Sequence, residues 1–215
     1  MAFRTLLLGA ALAALAPAIH AGDAQTAGQN LTGATANLAP LDPAGQWTRQ
    51  ARDYANTRYS PLTQINKDNV KNLQLVWSWG LTPGGTTQET PLVHDGVMFV
   101  QNSTHLIQAL DAATGELLWQ YQHRLPDTVS PNGVRTKAIY GDNLIVATRD
   151  AHVIAINAKT GKLELIAGTG EKGDGPDGDP LQCKMARLHG IFVDKDGSVF
   201  IGDSETHRVR VLRKK

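Results

Sequence analysis

The chain has a single cysteine, Cys183, so no intrachain disulfide can staple the fold and stability must come from packing. No sequence neighbour would activate Cys183, which reads as an inert free thiol. An excess of one charge is missing too: 21 basic residues face 20 acidic ones, which leaves no general attraction to nucleic acid or anionic lipid. No apolar run is long enough to span a bilayer. Helical periodicity is absent beyond Gln46. The seven histidines are scattered with no pair at metal-ligand spacing, so His189 and His207 read as turn or edge residues.

What is present fits one globular domain, with 41% hydrophobic and 19% charged residues. Arg4, the apolar stretch from Leu6 to Ala16 and small residues up to Ala18 or Ala21 have the three-part form of a secretory signal. Residues 1–21 are therefore expected to direct export to the periplasm or beyond, and 22–45, rich in Ala, Gly, Thr, Gln and Pro, to form a flexible leader. From Gln46 onward, short apolar runs alternate with Gly, Asn and Asp turns.

One unit of this pattern is written twice. Ala109-Leu-Asp-Ala-Ala-Thr-Gly115 recurs 46 residues later as Ala155-Ile-Asn-Ala-Lys-Thr-Gly161, and Val93, Met98, Phe99 and Val100 fall on Ile139, Leu144, Ile145 and Val146. Each unit reads strand, Asp-Gly or Gly-Asp turn, strand, polar turn, strand, Thr-Gly turn, strand: the content and period of a β-propeller blade. The repeat breaks after Lys162, where Leu165 takes the position of Trp119. A Gly, Asp and Pro loop follows, Gly168 to Pro180, and then an Asp-Gly hairpin around Gly197. Gly168-Thr-Gly-Glu-Lys-Gly173 matches a dinucleotide-binding pattern but does not open into a helix, so no phosphate cradle is expected. Asp174, Asp177 and Asp179 miss the register of a calcium loop and read as a solvated turn.

The run Trp47-Thr-Arg-Gln-Ala-Arg-Asp-Tyr-Ala-Asn-Thr-Arg-Tyr-Ser-Pro-Leu-Thr-Gln-Ile-Asn-Lys-Asp-Asn-Val-Lys-Asn-Leu-Gln-Leu-Val-Trp77 closely resembles the N-terminal signature of the pyrroloquinoline quinone (PQQ) dependent alcohol dehydrogenases, with Ala51 where that family has glycine. Gln88 to Val100 resembles the family's first full blade, and Ala109 to Trp119 its tryptophan-docking motif, in which the Thr-Gly turn receives an indole from a neighbouring blade. The resemblance implies two cofactor contacts, Glu89 and Arg135, the guanidinium stabilising negative charge as the quinone accepts hydride. It also implies calcium in the parent enzymes. The adjacent cysteine pair of many members would fall on Val129 and Ser130, so that clamp is missing and PQQ binding should be weak. The family's calcium ligands and catalytic aspartate lie beyond the point, near Leu163, where the pattern is left.

From Ile166 to Leu212 the chain resembles an NHL repeat, carried by Leu188-His-Gly-Ile-Phe-Val-Asp194 and Ile201-Gly-Asp-Ser-Glu-Thr-His-Arg208. The expected fold is thus all-β: an incomplete β-propeller with two quinoprotein-type blades over 46–163 and part of an NHL-like blade over 164–215. Two functions stay open. One is a fragment of a quinoprotein alcohol dehydrogenase, inactive alone. The other is a non-catalytic propeller scaffold or fusion remnant. Open blade edges predict self-association or a partner that completes the ring.

Overall fold

The repeat folds as two four-stranded antiparallel sheets in a computed structural model, which describes residues 44–53, 55–81, 89–130 and 137–213. The proposed signal and all but the last two residues of the leader lie outside the described residues, and all that is described belongs to one unit, 39–215. The first blade holds β1 (Leu92–His94), β2 (Val97–Gln101), β3 (Leu106–Asp111) and β4 (Leu117–Gln122). The second holds β5 (Lys137–Tyr140), β6 (Asn143–Ala147), β7 (Val153–Asn157) and β8 (Leu163–Ala167). The register repeats with the sequence: Val93 pairs with Met98, and their counterparts Ile139 and Leu144 pair as well. Local hydrogen bonding follows, since the Oδ1 of Asp111 accepts from the N–H of Ala113 and Thr114, and that of Asn157 from Lys159 and Thr160. Each side-chain cap closes the Thr-Gly turn.

The first three strands of the middle blade are buried on both faces, which explains why they read as continuous apolar runs. Successive side chains of a strand point to opposite sides. Leu144, Val146, Ile154 and Ile156 pack against Leu92, Phe99 and Ile107 of the first blade. Ile145, Ala147, Val153 and Ala155 pack on the other side, with Ile191, Val193, Val199 and Ile201. Full burial of one such side chain is worth roughly 1.5–3 kcal/mol, so these two seams hold the blades together without a disulfide.

Indole-on-glycine joints reinforce the seams. Trp119, on β4, donates its indole N–H to the carbonyl of Ala158 at 2.8 Å, and its ring lies where a Cβ on Gly161 would come within 3.3 Å. Trp77 repeats the arrangement one unit earlier, with 3.2 Å to the carbonyl of Ala112 and its ring 2.7 Å from the place of a Gly115 Cβ. Both glycines have positive φ, 76° and 70°, a conformation in which a side chain is strained.

The third sheet is three-stranded: β9 (Leu188–Val193), β10 (Val199–Asp203) and β11 (Arg208–Leu212), in the order β11-β10-β9. Here the joint changes chemistry, because Tyr140 of β5 rests on the hairpin glycine Gly197, within 3.1 Å of a would-be Cβ, and its hydroxyl donates to the Lys195 carbonyl at 3.4 Å. The three sheets form an open arc. At its inner rim, Trp47 exchanges two backbone hydrogen bonds with Val93, at 2.7 and 2.9 Å, while the carbonyl of Thr48 accepts from Ile139 N–H at 2.9 Å. The signature segment therefore ties β1 to β5. Ala51 causes no backbone strain, since the positive φ of this turn falls on Arg52, at 68°.

Candidate functional site

β1 and β5 begin at the same end of the two blades, and polar side chains are buried there. Glu89, just before β1, is 5% exposed and forms an ion pair with Lys137, the first residue of β5, itself 1% exposed. Lys137 also donates to the carbonyl of Thr90 at 3.3 Å. Burial pushes the Glu89 carboxyl up and the Lys137 ammonium down, each opposed by the other's charge. Among the described residues, the second carboxylate oxygen of Glu89 is buried without a hydrogen-bond partner, as are Oε1 of Gln101 and Oγ of Ser103 in the adjoining strand end and turn. Native interiors rarely leave such atoms unpaired. Arg135 lies outside the described residues.

Lys137 was not singled out in the sequence. The only signal for it is a lysine heading the apolar strand Lys137-Ala-Ile-Tyr140. Farther from the rim at the same end, His123, Asp150 and His152 converge: His123 Nε2 is 2.8 Å from Asp150 Oδ1 and His152 Nδ1 is 3.1 Å from Asp150 Oδ2. The scattered histidines thus contain a pair that tertiary structure brings together, their ring centroids 6.2 Å apart.

The remaining candidates resolve into structural roles. Asp174 and Asp177 lie in a solvent-exposed turn, 46% and 95% exposed, yet both also meet arginines. Arg210 reaches Asp174 at 2.6 Å, Asp177 at 3.3 Å and the buried Asp203 at 3.1 Å, and Arg208 adds bonds of 2.8 and 3.0 Å to Asp174. This network lashes the 168–180 loop to β10 and β11. Asp179 caps a short 3₁₀ turn (Pro180–Gln182) by accepting from Leu181 N–H at 3.0 Å, so the glycine-rich loop opens into no long helix. Cys183 is buried and unbonded to another cysteine, and burial pushes its thiol up. Val129 and Ser130 line a cavity of about 280 Å³ together with Arg149, Arg187 and Glu205.

Four-stranded antiparallel blades joined by an indole seated on the next blade's Thr-Gly turn define a β-propeller of the quinoprotein kind. The chain belongs to the family described as PQQ, glucose/ethanol/alcohol dehydrogenase β-propeller domain, which matches residues 47–174, and an NHL repeat follows at 185–212. Among curated relatives, the dehydrogenase subunit of the quinone alcohol dehydrogenase of Gluconacetobacter polyoxogenes is 39% identical over 210 residues, covering 93% of this chain and 27% of that protein. The quinoprotein ethanol dehydrogenase of Pseudomonas aeruginosa is 44% identical over 113 residues, 49% of this chain and 18% of that protein. The solved quinohemoprotein alcohol dehydrogenase of Comamonas testosteroni superposes with a TM-score of 0.58 at 29% identity, covering 76% of this chain and 24% of that one. The chain thus spans about a quarter of the length of such relatives.

Proposed function

We propose that this chain forms one wall of a PQQ-dependent alcohol-oxidising propeller, with Glu89 and Arg135 facing the cofactor. The observation that carries the reading is the Glu89 carboxylate, held in place by Lys137 at the inner-strand entry with one buried oxygen still lacking a partner. That oxygen suits a hydrogen bond from a bound polar group. When bound, PQQ supplies an electron-accepting quinone. Arg135 would offset negative charge on the quinone oxygens, and Lys137 would keep Glu89 ionised and oriented. Calcium ligands and a catalytic base must come from further blades, so the chain by itself should not turn over alcohol. The N-terminal pattern of Arg4 and Leu6 to Ala16 supports export, where quinoprotein chemistry would take place. Among the described residues no helix is long and apolar enough to cross a membrane.

Titration of PQQ, with and without calcium, into the purified chain tests this through quinone absorbance and tryptophan fluorescence. Weak saturable binding is expected, weaker still in Glu89→Gln and Arg135→Lys. Binding indifferent to both substitutions contradicts the site, and ethanol-dependent dye reduction by the chain alone contradicts the partial-enzyme reading.

One surface favours a role in assembly. Ile65, Leu73, Leu75 and Val76 are 59–85% exposed along a stretch with no strand partner, an apolar row of the kind that interfaces cover. Further blades would cover it, or a second copy. Size-exclusion chromatography at increasing concentration should show self-association of the isolated chain. A monomer at every concentration argues against an open, sticky edge.

A further inference from the structure

We infer that His123, Asp150 and His152 form a binding site for a borderline divalent cation of the zinc class, which clasps the first blade to the second. The inference rests on the fold and is independent of the PQQ reading. His123 follows β4 of the first blade, while Asp150 and His152 sit in the turn between β6 and β7 of the second. Their ligand atoms all lie within 4.8 Å of one another. Two imidazoles and a carboxylate are a ligand set that suits zinc, and an ion ~2.0–2.2 Å from each needs only small shifts from the present spacings.

The surroundings are built rather than incidental. Asp150 is 5% exposed, His123 11% and His152 22%. The turn that carries Asp150 and His152 is closed by Thr148, whose N–H and hydroxyl both donate to the His152 carbonyl, at 2.8 and 3.1 Å, and whose hydroxyl oxygen accepts from His152 N–H at 3.0 Å. Tyr121 Oη lies 3.1 Å from His123 Nδ1, the kind of outer contact that fixes the tautomer of a ligating histidine. Gly170 lies so near His152 that a Cβ there would sit 2.5 Å from Cε1, so the 168–170 loop covers the ring. Despite this enclosure, the Nδ1 of His152 is buried without a hydrogen bond, although Asp150 Oδ2 is only 3.1 Å away. A cation between them would give His152 Nδ1 a partner and be balanced by the Asp150 carboxylate.

The cluster is not a by-product of the repeat. The positions 46 residues before Asp150 and His152 are Thr104 and Leu106, which hold no such ligands. Among the described residues, only the joint between these two blades carries it.

The test uses the full chain, stripped of metal. Cobalt(II) is titrated as a spectroscopic probe and displaced by zinc, with calorimetry for stoichiometry. One equivalent is expected, together with a zinc-dependent rise in Tm, and at least tenfold weaker binding in His123→Gln and His152→Gln. His94→Gln, which removes the other grouping of ligating side chains among the described residues, should leave that affinity unchanged. In the wild-type chain, zinc should protect His123 and His152 from diethylpyrocarbonate, read by peptide mass spectrometry, a measurement that does not depend on a variant folding. The inference is overturned by the absence of stoichiometric binding, by binding that survives both substitutions or is lost in His94→Gln, or by unprotected His123 and His152.

Discussion

The two indole-on-glycine joints make a matched pair of substitutions, because Gly115→Ala and Gly161→Ala share backbone conformation but differ in the space available. Each places a β-carbon at positive φ, 76° or 70°, costing about 1–2 kcal/mol, less about 0.4–1 kcal/mol regained because alanine restricts the unfolded chain. At Gly161 the nearest indole atom would be 3.3 Å from the new carbon, a contact relieved by a small shift, so the net loss should be about 1 kcal/mol. At Gly115 the distances to Trp77 would be 2.7–2.9 Å, and the atoms met are at the base of the indole, which cannot swing aside. Trp77 must undock, forfeiting its bond to Ala112 and part of its burial, for a total of about 2–4 kcal/mol. Urea unfolding followed by circular dichroism measures both losses. In a Trp77→Ala background, Gly115→Ala should cost no more than Gly161→Ala does in the wild type. Equal losses at the two glycines, or a Gly115 penalty unchanged by removing Trp77, would refute the docking argument.

Glu89→Gln should destabilise the chain by about 3–5 kcal/mol, since it strands the buried Lys137 ammonium, whereas Glu89→Leu with Lys137→Met should recover most of that loss; denaturant midpoints of the two variants and the wild type distinguish an ion pair from simple packing. Acid should loosen the third sheet. Burial opposes ionisation of Asp203, but the N–H groups of Arg187 and Ala186, the Thr206 side chain and Arg210 together hold its carboxyl below the ordinary range. A carboxyl depressed in the folded state contributes stability above its unfolded pKa of about 3.9, and that stability is lost as pH falls through the folded value. The urea midpoint should therefore drop on acidification below about pH 4, and Asp203→Asn should flatten the drop while lowering stability at neutral pH.

Much of the architecture was legible before any coordinates. Recurrence of Ala109 to Gly115 at Ala155 to Gly161 signalled two copies of one sheet, and the observed register follows that offset pair by pair. Thr-Gly turns capped by Asp111 and Asn157 depend on residues at most three apart, which is why short-range pattern sufficed. The docking role of Trp119 was legible too, because the indole and its glycine belong to one repeated motif. The loop aspartates were harder to place: Asp174 and Asp177 find their arginines 33 to 36 residues later, and nothing in an Asp-Gly-Pro loop announces such a distance.

Amino-acid order by itself determined what periodicity and turn chemistry govern: all-β character, the repeating unit and its strand pairing. Tertiary structure alone decided which polar groups meet at the blade ends. Glu89 with Lys137, 48 residues apart, and His123 with Asp150, 27 apart, are joined across a seam between blades. No helical or strand period sets those separations. They follow from the angle at which one twisted sheet packs on the next, a property of the assembled apolar seam rather than of any segment within it.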